Sequence, residues 1–154
     1  MKTIRYQTID KSTWGDGAWQ QEPDKIQWQD EATNLPCLAV RHESFGHWCG
    51  YVGVGPGHPS HGKGYNDVDV DVHGGLTFAD KCVGTPERGV CHVPEAGEPD
   101  HVWWLGFDCA HAFDRQPGME ARHPDLYDAA NEYRRLGYVQ KECRGLARQL
   151  AALA

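Results

Sequence analysis

Three short strand-like runs of hydrophobic residues lie in the first third of the chain. Hydrophobic and polar residues alternate along Lys25–Gln29, the period of a half-buried strand, whereas Leu35–Arg41 and His47–Val54 are more continuously apolar, and polar turns separate the three runs. Because the connections are short, the pattern predicts an antiparallel meander. A strand-like run over Asp67–Phe78 and an apolar run over His101–Asp108 bring the predicted sheet to about five strands.

The last thirty residues follow a different period. From Asp125 to Leu153, apolar residues recur at three- and four-residue steps, which predicts one long amphipathic helix, and Pro124 suits its first turn. Residues 1–24 are predicted to form an irregular arm, residues 25–108 the sheet with its loops, and residues 109–124 a turn. We therefore expect a single α+β domain spanning residues 1–154, in which an antiparallel sheet of short strands is covered by the long C-terminal amphipathic helix.

Composition and charge narrow the classes of protein and partner. The chain is 40% hydrophobic and 24% charged, which is typical of a folded globular domain. A formal net charge of −7 argues against general nucleic-acid binding, because a phosphate backbone requires a basic surface. No run approaches the roughly 18 apolar residues of a membrane span, and no signal-peptide pattern begins the chain. We expect a cytoplasmic protein with no membrane partner.

The cysteines are interpreted from this expected location. In a reducing compartment, free thiols are the default. Cys37, Cys109 and Cys143 lie in apolar surroundings and are predicted to be core residues. Cys82 and Cys91 flank a turn-rich loop, and a histidine follows the second of them. Plain thiols are the favoured interpretation for this pair, with half of a zinc site as the alternative.

One segment combines acidic residues and a histidine on a single predicted strand face. In Asp67–Phe78, Asp67, Asp69, Asp71 and His73 alternate with valines, so they point away from the core. Carboxylates two residues apart on a strand lie about 7 Å apart, and such a row attracts a metal ion or a cationic partner. For this segment alone, a solvated acidic face is the favoured interpretation.

Two neighbouring segments add residues of the same chemistry. The loop before the acidic run carries His58, His61 and Lys63, and the apolar run over residues 101–108 leads into Asp108, His111 and Asp114. Histidine and aspartate are ligands for Zn²⁺, Mn²⁺ or Mg²⁺, depending on geometry. The competing interpretations are a hydrogen-bonded core histidine at His111 and a helix N-cap at Asp108.

We predict that these segments converge on one His/Asp pocket. The candidate catalytic residues, acting as general acids or bases, are His58, His61, His73 and His111. The candidate ligands of a divalent metal (Zn²⁺, Mn²⁺ or Mg²⁺) are Asp69, Asp71, His73, Asp108 and His111. The candidate ligand-binding groups are the ammonium of Lys63, the backbone amides of Gly74 and Gly75, and the ring of Trp48.

Three segments carry a resemblance to other sequences. They are Gly50–Val54, Val72–Phe78 (VHGGLTF) and the run WWLGFDCAH from Trp103 to His111. Here the chain resembles a family of small phage- and prophage-borne proteins of unassigned function. The resemblance implies a cytoplasmic role in an infected or lysogenic bacterium, where small phage proteins often counter host defence by cleaving or sequestering nucleotide signals. It supplies no catalytic residues.

Three functional hypotheses are compatible with these residues. The first is an enzyme acting on a nucleotide or another phosphate-bearing small molecule, as a metal-dependent phosphodiesterase. The second is a binding protein that sequesters a nucleotide without chemistry. The third is an acidic interaction protein that inhibits a host protein through Asp67, Asp69 and Asp71. A homodimer, formed through sheet edges or the helix stripe, is compatible with all three.

Overall fold

Six antiparallel strands form one open sheet in the computed structural model, which describes all 154 residues. The strands are β1 (Ile4–Tyr6), β2 (Lys25–Gln29), β3 (Pro36–Arg41), β4 (Trp48–Val54), β5 (Phe78–Asp80) and β6 (Trp103–Asp108). Their order across the sheet is β1-β2-β3-β4-β6-β5. The predicted meander is confirmed. Two strands were not predicted with these bounds: β1 lies in the predicted irregular arm and pairs with β2, and β5 begins only at the last residue of the predicted strand Asp67–Phe78.

Two helices accompany the sheet, and the α+β class predicted from the sequence is confirmed. They are α1 (Pro117–Arg122), within the predicted turn, and α2 (Leu136–Leu153), which packs on one face of the sheet. Short 3-10 turns lie at Ala18–Gln20, Tyr65–Asp67 and Pro124–Leu126. Neither helix has the length and apolar character needed to span a membrane.

Helix α2 begins at Leu136 and not at Asp125, the start predicted from apolar spacing. In the segment between these positions, side chains bind the backbone amides that a helix would use. The Asp128 amide donates to Asn131 Oδ1 at 2.9 Å, and the Ala130 amide donates to Asp128 Oδ1 at 2.8 Å. Such local hydrogen bonds compete with the hydrogen bonds of a helix, so the helix begins later in the chain.

The segment Asp67–Phe78 is not the strand that its alternation predicted. It lies against helix α2 and is bound by side chains of that helix. Gln149 Oε1 accepts from the Asp71 amide at 2.7 Å, and Gln149 Nε2 donates to the Asp71 carbonyl at 2.8 Å. Glu142 Oε1 accepts from the His73 amide at 2.9 Å. The first and last valines of the segment are buried and its aspartates are exposed, so its side chains do alternate between buried and exposed positions. The segment packs on a helix, however, and not in the sheet.

The core lies between the sheet and α2. Gly50 on β4 lies where α2 packs tightly on the sheet, because a Cβ there would lie 2.4 Å from the Phe107 ring and 2.9 Å from Cys143 Sγ. A glycine therefore permits the helix to approach the central strands. Cys37, Cys109 and Cys143 are all buried in this core, as predicted. Its other large members include Ile26, Val52, Leu105, Val139, Leu146 and Leu150.

The opposite face of the sheet is covered by a loop, residues 81–102. Lys25 on β2 is almost fully buried and donates to the carbonyls of Gly89 at 2.6 Å and Cys91 at 2.7 Å. Gln27 of the same strand also binds the backbone of this loop. Burial lowers the pKa of Lys25 to about 8. The two carbonyls keep the buried ammonium hydrogen-bonded, so Lys25 holds the loop against the sheet.

Cys82 and Cys91 form a disulfide within this loop, with Cα atoms 4.7 Å apart. The expectation of plain thiols is wrong for this pair. Val83 and Val90 form an isolated antiparallel bridge, which brings the two ends of the turn together. The neighbouring His92 is buried and packs against a tryptophan ring, so it does not form half of a zinc site with the cysteines.

Replacing Cys82 and Cys91 by serine is expected to lower the free energy of unfolding by about 2–3 kcal/mol, because the bond closes a short loop in the unfolded chain. Urea denaturation of the double variant and of the wild type measures the loss. Wild type treated with dithiothreitol should match the double variant, and the variant itself should be insensitive to the reductant. A loss below about 0.5 kcal/mol would contradict the loop-entropy estimate.

Candidate functional site

His73 is the centre of a polar cluster formed where the segment after Asp67 meets helix α2. Its Nε2 lies 2.8 Å from Asp114 Oδ2, and its Nδ1 lies 2.7 Å from the Tyr138 hydroxyl. Because an ionised carboxylate only accepts hydrogen bonds, Nε2 carries the hydrogen and Nδ1 accepts from Tyr138. The result is a continuous hydrogen-bonded chain from carboxylate to imidazole to phenol, which we name the proton chain (Asp114, His73 and Tyr138).

Asp114 is the buried end of the proton chain, and its side chain has no exposed area. Oδ2 also accepts from the His111 amide at 3.0 Å, and Oδ1 accepts from Arg134 Nε at 2.9 Å. Burial acts to raise the pKa of Asp114, but the hydrogen bonds from His73 and Arg134 outweigh it and hold the pKa below its ordinary value. The carboxylate is therefore ionised at neutral pH.

An unusual turn directs Asp114 inward. Phe113 adopts the left-handed conformation with a φ of 72°, which is rare for a bulky residue. Backbone bonds hold the turn, since the Glu132 amide donates to the Phe113 carbonyl at 2.7 Å and the Arg115 amide donates to the Glu132 carbonyl at 2.8 Å. The turn leaves the Phe113 ring exposed beside the cluster.

A second imidazole and carboxylate adjoin the proton chain. The ring centroids of His111 and His73 are 6.0 Å apart. His111 Nε2 faces Asp108 Oδ1 at 3.3 Å without the geometry of a hydrogen bond. Asp108 is held by the Thr77 hydroxyl at 2.9 Å and by the Ala110 amide at 3.1 Å. Both members of this pair are partly exposed, so they form the solvent-facing side of the cluster.

Gly74 makes room for His111. A Cβ on Gly74 would lie 2.2 Å from His111 Nε2, and its φ of 68° is left-handed. The following Gly75 is also left-handed, and its amide closes the turn by donating to the Val72 carbonyl at 2.8 Å. These two glycines, predicted to bind a ligand through their amides, therefore meet the conformational demands of this turn.

The imidazoles of the preceding loop do not reach this cluster. His58 Nε2 lies 2.7 Å from the Leu150 carbonyl near the end of α2, whereas the His73 amide binds Glu142. These two anchors on α2 are about 12 Å apart along the helix axis, at 1.5 Å per residue. His61 Nε2 lies 3.1 Å from the carbonyl of residue 101, outside the cluster.

The remaining predicted site residues also lie elsewhere. Lys63, Asp69 and Asp71 are exposed and form no ion pair. Trp48 is fully buried, with the guanidinium of Arg41 4.3 Å from its ring, so it packs in the core. No group of three or more His, Cys, Asp or Glu side chains is arranged to hold a metal ion, and the predicted metal ligands do not converge as a set.

Tyr138 and Arg134 are members of the cluster that sequence reasoning missed. The apolar spacing of the C-terminal segment predicted a helix but gave neither residue a role in a site. The sequence contains one signal that could have identified Tyr138, namely its spacing from other hydrogen-bonding side chains, because residues four apart on a helix share a face. Tyr138, Glu142 and Gln149 form a stripe of hydrogen-bonding side chains on α2, and this stripe binds the segment that carries His73.

A cavity of about 410 Å³ opens beside the proton chain. Tyr138 and Arg134 belong both to its wall and to the cluster, and Arg135, Tyr133 and Glu22 complete most of the lining. Glu22 is already engaged, because its Oε2 accepts from the first amide of α2 at 2.6 Å. The volume is within the range of small-molecule sites.

No protein-family model, curated protein or solved structure matches the chain. Any functional conclusion therefore depends on the geometry of the cluster and its cavity.

Proposed function

We propose that the protein hydrolyses a phosphoester bond in a small phosphate-bearing molecule, with nucleotides as the leading class, at the cavity beside Tyr138. The observation that carries the proposal is the proton chain, which runs from a buried carboxylate to the hydroxyl of Tyr138, a residue that lines the cavity. An imidazole oriented by a buried carboxylate is the arrangement that general-base catalysis uses.

The proton chain can take a proton from water and hold it on the imidazole of His73, next to the buried carboxylate of Asp114. Water attacking phosphorus gives a proton to the Tyr138 oxygen, and Tyr138 passes its own proton to His73 Nδ1. Asp114 stabilises the imidazolium without being protonated itself. The bond from phosphorus to the leaving oxygen breaks with its electron pair, and the stored proton returns to that oxygen. Burial raises the pKa of Tyr138, so the phenol is protonated and able to relay.

The cavity is lined by two arginines and two glutamates, and one of the arginines has no carboxylate partner. Arg134 is bound to Asp114 and to Glu132, whereas Arg135 is exposed and forms no ion pair. A free guanidinium binds phosphate oxygens through paired, charge-assisted hydrogen bonds. The resemblance to phage-borne proteins makes a nucleotide signal of host defence a reasonable substrate class, and this identification is part of the proposal.

The test is turnover of a panel of cyclic and linear nucleotides, with Mg²⁺, Mn²⁺ or Zn²⁺ and separately with EDTA. We expect His73→Gln and Tyr138→Phe each to lower kcat/KM about a hundredfold, because each breaks the proton chain. His101→Gln is the matched control, since that side chain is 88% exposed and lies outside the cluster.

Three outcomes would change the conclusion. Absence of turnover, or a His73→Gln variant as active as the wild type, refutes hydrolysis by the proton chain. Turnover only with an added metal assigns the activation of water to that metal. A nucleotide that binds and is released intact on denaturation makes the protein a sequestering protein.

A further inference from the structure

A second cavity, of about 600 Å³, opens between helix α2 and the sheet edge formed by β1 and β2. We name it the edge groove, and the residues that define it here are Arg5, Trp28, Glu31, Gln140 and Arg144. At 3.6 residues per turn, its helix residues project from the side of α2 opposite to the stripe that binds His73. The edge groove shares no lining residue with the cavity beside the proton chain.

Two guanidinium groups in the edge groove have no partner. Arg5 and Arg144 are exposed, and neither forms an ion pair or a side-chain hydrogen bond. Four of the nine arginines bind a carboxylate, and Arg5 and Arg144 are the two of the remaining five that line this groove. The chain as a whole has a net charge of −7, yet this one cavity is lined by two guanidinium groups without a protein partner. Such groups are suited to bind an anionic ligand.

Trp28 provides an aromatic surface in the same groove. It lies on the side of β2 that faces α2, packs against the core and remains partly exposed. Packing against the core holds the indole in place before a ligand arrives. Stacking of a base on such a ring contributes about 1–3 kcal/mol.

Two acidic residues, Asp30 and Glu31, also line the groove, but neither forms an ion pair with its arginines. Asp30 is buried, and its Oδ2 accepts from the Thr33 amide at 3.0 Å and from the Thr33 hydroxyl at 2.7 Å. Glu31 is exposed and has no ion-pair partner. As a hydrogen-bond acceptor it is suited to the amino group of a base.

We propose that the edge groove is a binding site for a nucleoside phosphate, with the base stacked on Trp28 and the phosphates bound by Arg5 and Arg144. The groove volume is in the range of small-ligand sites. Stacking and charge act together, so a ligand with both a ring and phosphates binds more tightly than one with either alone. The site requires no chemistry and is independent of the proton chain.

Equilibrium dialysis with ADP, adenosine and pyrophosphate tests the proposal in the His73→Gln variant, which prevents turnover by the proton chain. We expect ADP to bind at least about tenfold more tightly than adenosine or pyrophosphate. Arg144→Gln and Arg5→Gln should each lower the affinity for ADP about tenfold and leave that for adenosine unchanged. Arg148→Gln is the matched control, because it lies on the same helix outside the groove.

Trp28→Leu separates stacking from charge, and it should weaken ADP and adenosine together. Circular dichroism shows whether this variant is folded, and the two arginine variants carry the test if it is not. Unchanged ADP affinity in both arginine variants overturns the proposal. Pyrophosphate binding as tight as ADP binding also overturns it, because that result describes an anion site without a base. Failure of nucleotide turnover by wild type leaves this binding unaffected and refutes only the hydrolase.

Discussion

Replacing Asp24 by alanine is expected to lower the free energy of unfolding by about 3–5 kcal/mol. The side chain is buried, and its Oδ1 accepts from Lys11 Nζ at 2.6 Å and from Arg41 Nε at 3.2 Å. Its Oδ2 accepts from the amides of Thr8 at 2.8 Å and Ile9 at 2.9 Å. One carboxylate therefore connects the N-terminal arm, β2 and β3.

The expected loss is large because removal of this carboxylate leaves buried Lys11 without a carboxylate partner, and leaves Arg41 Nε and two amides without an acceptor. Urea denaturation followed by circular dichroism measures the change. Glu43→Gln is the control, since Glu43 pairs with Arg88 at the surface, where such pairs contribute at most about 1 kcal/mol. Equal losses in the two variants would show that Asp24 has no special role.

Acid is expected to remove about 3 kcal/mol of stability between pH 6.5 and pH 4 through His47 alone. His47 is 5% exposed, and its Nδ1 has no hydrogen-bond partner. Burial, together with the nearby His42, lowers the pKa of His47 to about 4, while Asp108 and Asp114 act in the opposite direction. The folded protein therefore holds this imidazole neutral in mildly acidic solution.

The sign follows from proton uptake by the two states. An unfolded imidazole binds its proton near pH 6.5, whereas the folded one does so only near pH 4. Between these values the unfolded state holds more protons, so stability falls as the pH falls, by about 1.4 kcal/mol per pH unit. Asp24 and Asp114 have lowered pKa values, so their contributions are lost only at still lower pH.

Urea denaturation at several pH values from 7 to 4 checks this expectation. His47→Phe should flatten the decline, and His47→Asn offers the same test if the larger ring does not fit. His101→Gln should retain the wild-type decline, because that side chain is exposed. A decline in the His47 variants as steep as in the wild type would locate the acid sensitivity in other groups.

The candidate site could be predicted in part. His73, Asp108 and His111 were expected to converge, and the structure brings them together with Asp114. His58 lies close to them in sequence, but its ring binds the far end of α2. Chain proximity and residue type indicate which groups carry chemistry, whereas the path of a glycine-rich loop determines which of them meet.

The edge groove was beyond sequence reasoning. Arg5 belongs to an arm that shows no strand pattern, and Arg144 follows the ordinary pattern of a solvated helix face. Only the pairing of β1 with β2 brings the first of these arginines to the helix that carries the second. Because the paired residues are some twenty positions apart in the sequence, the local pattern of apolar and polar residues does not predict this pairing.

The sequence by itself determined the α+β class, the meander of β2 to β4 and the buried stripe of α2, because periodicity reports which side of an element is apolar. Only the tertiary structure decided that the run from Asp67 to His73 packs on a helix, that Tyr138 meets His73, and that Asp114 is buried beneath them. The alternation of apolar and polar residues indicates which side chains are buried, but it does not indicate which element they pack against. That information arises when distant segments exchange hydrogen bonds, as Glu142 and Gln149 do with this run.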